Sequence, residues 1–147
     1  MRLISILPFV AALLCPLAAT AADEPRAVNV RALLVLASNQ SGATDAQLAP
    51  YEPTLRRILR FDTYRLAGSG DATVGSELTG ISLGRGHSLQ LGQSAGGRGT
   101  RLRVQWTQGG RALMDTGLTL RPGVPAVLGG PSSGEKGQVW AVILIAR

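Results

Sequence analysis

From Val28 to Ala37 the chain passes from alternation, Val28 and Val30 against Asn29 and Arg31, into a continuous apolar run. Alternation marks a strand with one buried face, and a continuous run of this length marks one covered on both faces. The segment predicts a strand whose second half is enclosed. Its counterpart closes the sequence as Gln138-Val-Trp-Ala-Val-Ile-Leu-Ile-Ala-Arg147, too short for an ordinary helix and rich in β-branched residues. That run predicts a second interior strand over 139–146. Both strands are expected to be central and are candidates for direct neighbours.

Between them the spacing turns helical once. Leu48, Tyr51, Leu55, Ile58 and Leu59 recur at three- and four-residue steps and predict one apolar helix face. Pro53 suits a first helical turn, Glu52 the positive end of the helix dipole, and Arg56, Arg57 and Arg60 its negative end. Phe61 and Tyr64 then lead into an extended segment, with Leu66 on the side of Tyr64. From Gly68 the pattern becomes short strands broken by glycine turns: Glu77–Leu83, His87–Leu91 and Thr100–Trp106 all alternate with period two. Leu102, Val104 and Trp106 face one way, and Arg101, Arg103 and Gln105 the other. Gln108-Gly-Gly-Arg111 predicts a hairpin turn, with Met114, Thr116, Leu118 and Leu120 on one side of the return strand. Arg121-Pro-Gly123 turns the chain, Ala126–Leu128 reads as a short strand, and Gly129–Gly137 as a loop. The expected fold is mainly β with one helix (α+β), an antiparallel sheet or sandwich carrying one amphipathic helix.

Composition narrows the class. An apolar share of 45% allows a real core, and an aromatic share of 4% makes that core aliphatic. Met1-Arg2, an apolar stretch from Leu3 to Leu14, and Ala19-Thr20-Ala21 form a secretory signal, with Thr20-Ala21-Ala22 as a shifted cleavage alternative. The expected organisation is a signal peptide over 1–22 and a single β-rich domain over 23–147, exported to the periplasm or secreted. Cys15 lacks the small preceding residue of a lipidation site. Cleavage removes it, so the mature chain has no thiol for a disulfide or a metal site. No second transmembrane stretch follows.

The formal charge of +6 comes almost entirely from arginine, since Lys136 is the sole lysine. Local density arises at Arg56, Arg57 and Arg60 and at Arg101 and Arg103. These five are the candidate contacts for an anion or a partner. Exposed aromatics interleaved with basic residues, the mark of nucleic-acid binders, are missing, so no nucleic-acid partner is expected.

His87 is the sole histidine; a Ser-His-acid arrangement could draw on Ser88, Asp71 or Asp115, but a histidine in a glycine-rich turn reads first as a turn residue. Gly129-Gly-Pro-Ser-Ser-Gly-Glu-Lys136-Gly137 has the outline of a phosphate-binding loop, yet Glu135 intrudes, Gly137 replaces the metal-binding hydroxyl, and a strand follows where a helix is required. Gly68-Ser-Gly70 and Gly84-Arg-Gly86 do not join a strand to a helix, so no dinucleotide site is expected. Gly96-Gly-Arg-Gly99 reads as a turn. The expectation is a non-enzyme with no cofactor and no metal.

Val30-Arg-Ala-Leu-Leu-Val-Leu-Ala-Ser-Asn39 and Leu55-Arg-Arg-Ile-Leu-Arg-Phe-Asp-Thr-Tyr64 resemble a family of small exported bacterial proteins of uncharacterised function. There a V-x-A-x-L-V strand precedes a short helix, a Phe-x-x-Tyr element and a β-rich remainder; this chain departs from the pattern at Leu36, where a larger aromatic is the rule. Leu118–Gly130 plus the terminal strand is similar to the strand–Gly-Gly–strand ending of outer-membrane secretin domains, without their Leu-rich membrane-facing segments. The first resemblance implies export and brings no known activity. The leading expectation is an exported, non-catalytic module that contacts an envelope protein through a sheet edge or the arginine-bearing face of 101–106. The alternatives are electrostatic binding of anionic envelope polymers or lipid headgroups, and a hydrolase using His87.

Overall fold

The computed structural model describes residues 27–94 and 100–147. The expected signal peptide, Cys15, the first residues of the expected domain and the Gly96–Gly99 turn lie outside them. Eight strands follow in chain order: β1 (Val28–Ser38), β2 (Thr63–Val74), β3 (Thr79–Gly84), β4 (His87–Gln93), β5 (Thr100–Gln108), β6 (Arg111–Leu120), β7 (Ala126–Ser132) and β8 (Gln138–Ala146). A 3-10 segment (Ala46–Tyr51) runs into the helix α1 (Glu52–Leu59) between β1 and β2. The strands form two antiparallel four-stranded sheets, ordered β2-β1-β8-β7 and β3-β4-β5-β6. This is the expected mainly β architecture with one helix, in its sandwich form.

The two apolar runs are the centre of the first sheet, paired antiparallel from Val30–Ala146 to Ser38–Gln138. Their continuity has a physical reason. Even-numbered side chains of both strands (Val30, Ala32, Leu34; Trp140, Val142, Leu144) enter the core between the sheets. The odd-numbered ones (Leu33, Val35, Ala37; Ala141, Ile143, Ile145) pack beneath Leu48, Leu55 and Tyr64 on the helical side. A strand between two apolar layers has no polar face to alternate with. Each fully buried Leu, Ile or Val contributes roughly 1.5–3 kcal/mol, so these two strands anchor both cores.

The second sheet has one covered face and reads accordingly. Ile81, Leu83, Leu89, Leu91, Leu102, Val104 and Trp106 are buried inward, while Gln90, Arg101 and Arg103 point to solvent. The β5–β6 hairpin closes on Gly109 and Gly110, both at positive φ (57° and 80°), where a side chain would be strained.

Helix α1 begins as expected, with Pro53 in its first turn and Glu52 preceding it. It ends at Arg60 in the left-handed region (φ 57°). Arg56 stabilises that exit, donating to the Glu52 carboxylate at 2.8 Å and to the Asp62 carbonyl at 3.1 Å. Tyr64 lies buried beneath, its hydroxyl accepting from the Phe61 N–H at 3.1 Å. Burial pushes its phenol above the ordinary tyrosine range. Ile58, read as part of the apolar face, is half exposed instead (49%), while Leu55 and Leu59 seat the short helix on the core.

Two further segments differ from the sequence reading. Extended structure does not stop at Gly68; β2 continues to Val74. Gly129–Ser132 belongs to β7 rather than to a loop, with a register shift that accommodates Pro131. Gly68 and Gly130 both lie against another part of the fold. Leu83's carbonyl occupies the direction a Gly68 side chain would take, and the Trp106 ring lies over Gly130. These glycines mark close packing, not chain breaks.

Candidate functional site

A sandwich of two open sheets has four edge strands, and unpaired edges attract other strands unless they are blunted. Three are blunted here. Asp45 covers β2, its carboxylate accepting from the Leu66 N–H at 2.7 Å and its own N–H donating to the Tyr64 carbonyl at 3.1 Å. Farther along, Gly68 and Gly70 let β2 close onto Leu83 and Ile81 of β3, so the six-residue β3 is shielded in turn. The seven-residue β7 is interrupted by its register shift and by Pro131. The fourth edge is β6, ten residues without proline; its ladder with β5 shifts register once, at Leu113, and among the described residues no strand pairs with its other side.

Along this open side the core shows through. Leu113, Met114 and Leu118 of β6, and Ala126 and Leu128 of β7, pack against the inter-sheet core but stay partly exposed. An open cleft of about 470 Å³ separates the edges near Thr119, Arg121, Val124, Pro125 and Ala126, and Val124 is 55% exposed. On the outer face, a shallow hollow lies beside Arg101, Arg103, Asp115 and Gly117. Arg103 faces Gly117 across the β5–β6 ladder and reaches diagonally to Asp115, with contacts of 3.0 and 3.3 Å. The pair holds the Asp115 carboxyl below its usual range, and raises Arg103, chiefly through those hydrogen bonds.

The five candidate arginines do not share a surface. Arg56, Arg57 and Arg60 belong to the helical layer outside the first sheet, whereas Arg101 and Arg103 point outward from the second. Arg56 is engaged by Glu52 and Arg103 by Asp115. Arg57, Arg60 and Arg101 are exposed, with no ion pair among the described residues.

His87 is not a turn residue. It opens β4 with its side chain in the core, 1% exposed, between the two tryptophans. Its Nδ1 accepts from the Trp106 Nε1–H at 3.0 Å, which assigns the ring proton to Nε2. The ring centroid lies 4.7 Å from that of Trp140, and Nε2 is buried with no hydrogen-bond partner among the described residues. Burial lowers its pKa below the ordinary histidine value. The residues that could complete a triad are elsewhere. Ser88 points to the opposite face and pairs with the Thr107 hydroxyl at 2.7 Å; Asp115 is on the outer face; Asp71 belongs to the other sheet. The alternation of His87, Leu89 and Leu91 was the sequence signal for an inward imidazole. Among the described residues no group of His, Cys, Asp and Glu could hold a metal ion, and no helix is long and apolar enough to cross a membrane.

No family model, curated protein or solved structure matches this chain.

Proposed function

We propose that the protein is an exported, non-catalytic module of the envelope that binds an extended segment of a partner protein along β6. One observation supports the reading: β6 is a long, proline-free edge that pairs with no further strand among the described residues, bordered by partly exposed Leu113, Met114 and Leu118. Strand addition uses such features, with main-chain hydrogen bonds supplying affinity and alternate side chains selectivity. The test is affinity capture from envelope fractions with wild-type and Gly117→Pro baits, after both are shown to unfold at similar temperatures. A partner held by wild type and released by the proline variant is expected, and amide exchange along β6 should slow when that partner binds. Equal capture by both baits, or unchanged exchange in β6, would remove the edge from consideration.

The alternative, binding of anionic envelope polymers or lipid headgroups, has exposed Arg57 and Arg60 on one face and Arg101 on the other to draw on. It requires retention that weakens in moderate salt; salt-independent retention eliminates it.

A further inference from the structure

We propose that β6 pairs with β6 of a second copy, antiparallel about a two-fold axis at Thr116, with Arg103, Gly117 and Asp115 setting the register. The inference rests on β6 being the docking edge and names its occupant. A two-fold contact must be self-complementary: where residue i of one copy meets residue j of the other, j meets i in return. In a continuous antiparallel sheet, directly opposed residues share a face. Outward-facing positions of one β6 therefore meet outward-facing positions of the other.

Charge chooses among the possible registers. An axis at Asp115 opposes the two aspartates directly, a like-charge pair that opposes association. An axis at Gly117 sets glycine against glycine and leaves both carboxylates facing Thr119. An axis at Thr116 sets Asp115 of each copy opposite Gly117 of the other. Gly117 already faces Arg103 across the β5–β6 ladder and is uncrowded: a Cβ there would make only an ordinary contact, 3.7 Å from the Leu102 carbonyl. Asp115 of one copy and Arg103 of the other then flank a position without a side chain. Their backbones are two strand spacings apart, ~10 Å, a gap bridged by an extended arginine and an aspartate. The existing pair is 62% and 50% exposed at its side chains, so each group retains room for this second contact. On the inner face the same register opposes Met114 to Leu118 twice, covering apolar surface that the isolated chain leaves half exposed. The result is an eight-stranded sheet across the axis with two symmetric Arg–Asp pairs.

Analytical ultracentrifugation of the purified protein tests this. The expected result is a dimer that weakens with added salt and dissociates roughly 10-fold more readily as Asp115→Lys. Combining Arg103→Asp with Asp115→Arg should restore association, which a general loss of stability would not. Gly117→Pro should give a folded monomer; if it does not fold, the exposed Asp115 and Arg103 variants still decide the matter. A wild-type protein that stays monomeric, or a dimer indifferent to Asp115→Lys, overturns the inference. A monomeric wild type whose β6 nevertheless captures an envelope protein in a proline-sensitive way would sink the self-pairing alone. A dimer unaffected by Gly117→Pro would count against the edge itself.

Discussion

The two long sides of the sandwich solve the same problem in opposite ways. On the β2/β3 side, glycines at 68 and 70 bring the sheets close enough for Leu83 and Ile81 to lie on bare backbone. Gln93 adds links to the end of β2, its N–H donating to the Gly75 carbonyl at 2.9 Å and its side chain to the Val74 carbonyl at 2.7 Å. On the β6/β7 side the sheets stay apart, and a single large ring, Trp106, crosses the gap to rest on Gly130. One side is sealed by removing side chains and the other is propped by the largest one available. Shape explains why the larger partly exposed side chains of the strands, Leu113, Met114 and Leu118, gather on β6, while β2 beside β3 shows only Ala67 and Ala72 and Leu78 is exposed just ahead of β3.

Substitutions can break this contrast. Trp106→Ala should have the largest effect, about 3–5 kcal/mol in urea unfolding, because it empties a fully buried site and orphans His87 Nδ1. Amides of β6 and β7 should lose exchange protection before those of β2 and β3; uniform loss would show that the ring does not act as a local prop. Gly68→Ala comes next, at about 1–3 kcal/mol, since its methyl meets the Leu83 carbonyl and the backbones must part.

A smaller, pH-dependent effect probes the same end of the fold. His87 is held neutral by burial, with the Arg85 guanidinium over the neighbouring Trp140 ring. Because its folded pKa lies below the unfolded value near 6.5, the unfolded chain binds the proton first as pH falls. Stability from the neutral ring is complete above that value and is lost as pH descends toward the folded pKa. Unfolding free energies between pH 7.5 and 5 should therefore slope downward in wild type and flatten in His87→Phe; equal slopes would place the proton uptake elsewhere. The smallest effect is expected at Gly117→Ala on the open edge, within about 0.5 kcal/mol of wild type, since its methyl makes only ordinary contact. If Gly117→Ala and Gly68→Ala cost the same, the contrast between the sides is wrong.

Much of this architecture was legible locally. The continuous runs in β1 and β8 report two covered faces, and the alternation in β5 assigns Leu102, Val104 and Trp106 to the core without ambiguity. What misled was glycine. At Gly109 and Gly110 it makes a turn, while at Gly68 and Gly130 it admits a carbonyl or an indole from a distant strand. The sequence carries no local mark of which role applies. Ile58 misled for a related reason: helical spacing shows which residues could be buried, not how far the covering layer extends. The openness of β6 was illegible because it depends on strand order, which no short window contains. That the two arginine clusters lie on opposite layers was likewise illegible, because it depends on which sheet each segment joins.

Pairing Val30 with Ala146 places the earliest and latest strands side by side at the middle of one sheet. No partly synthesised chain can acquire this sheet's full hydrogen bonding, because β1, though β2 pairs with one side of it, lacks β8 on the other until almost all intervening residues have been made. Non-local pairing of this kind slows folding. A nascent chain consequently carries one unpaired edge of an aliphatic strand until its last residues emerge.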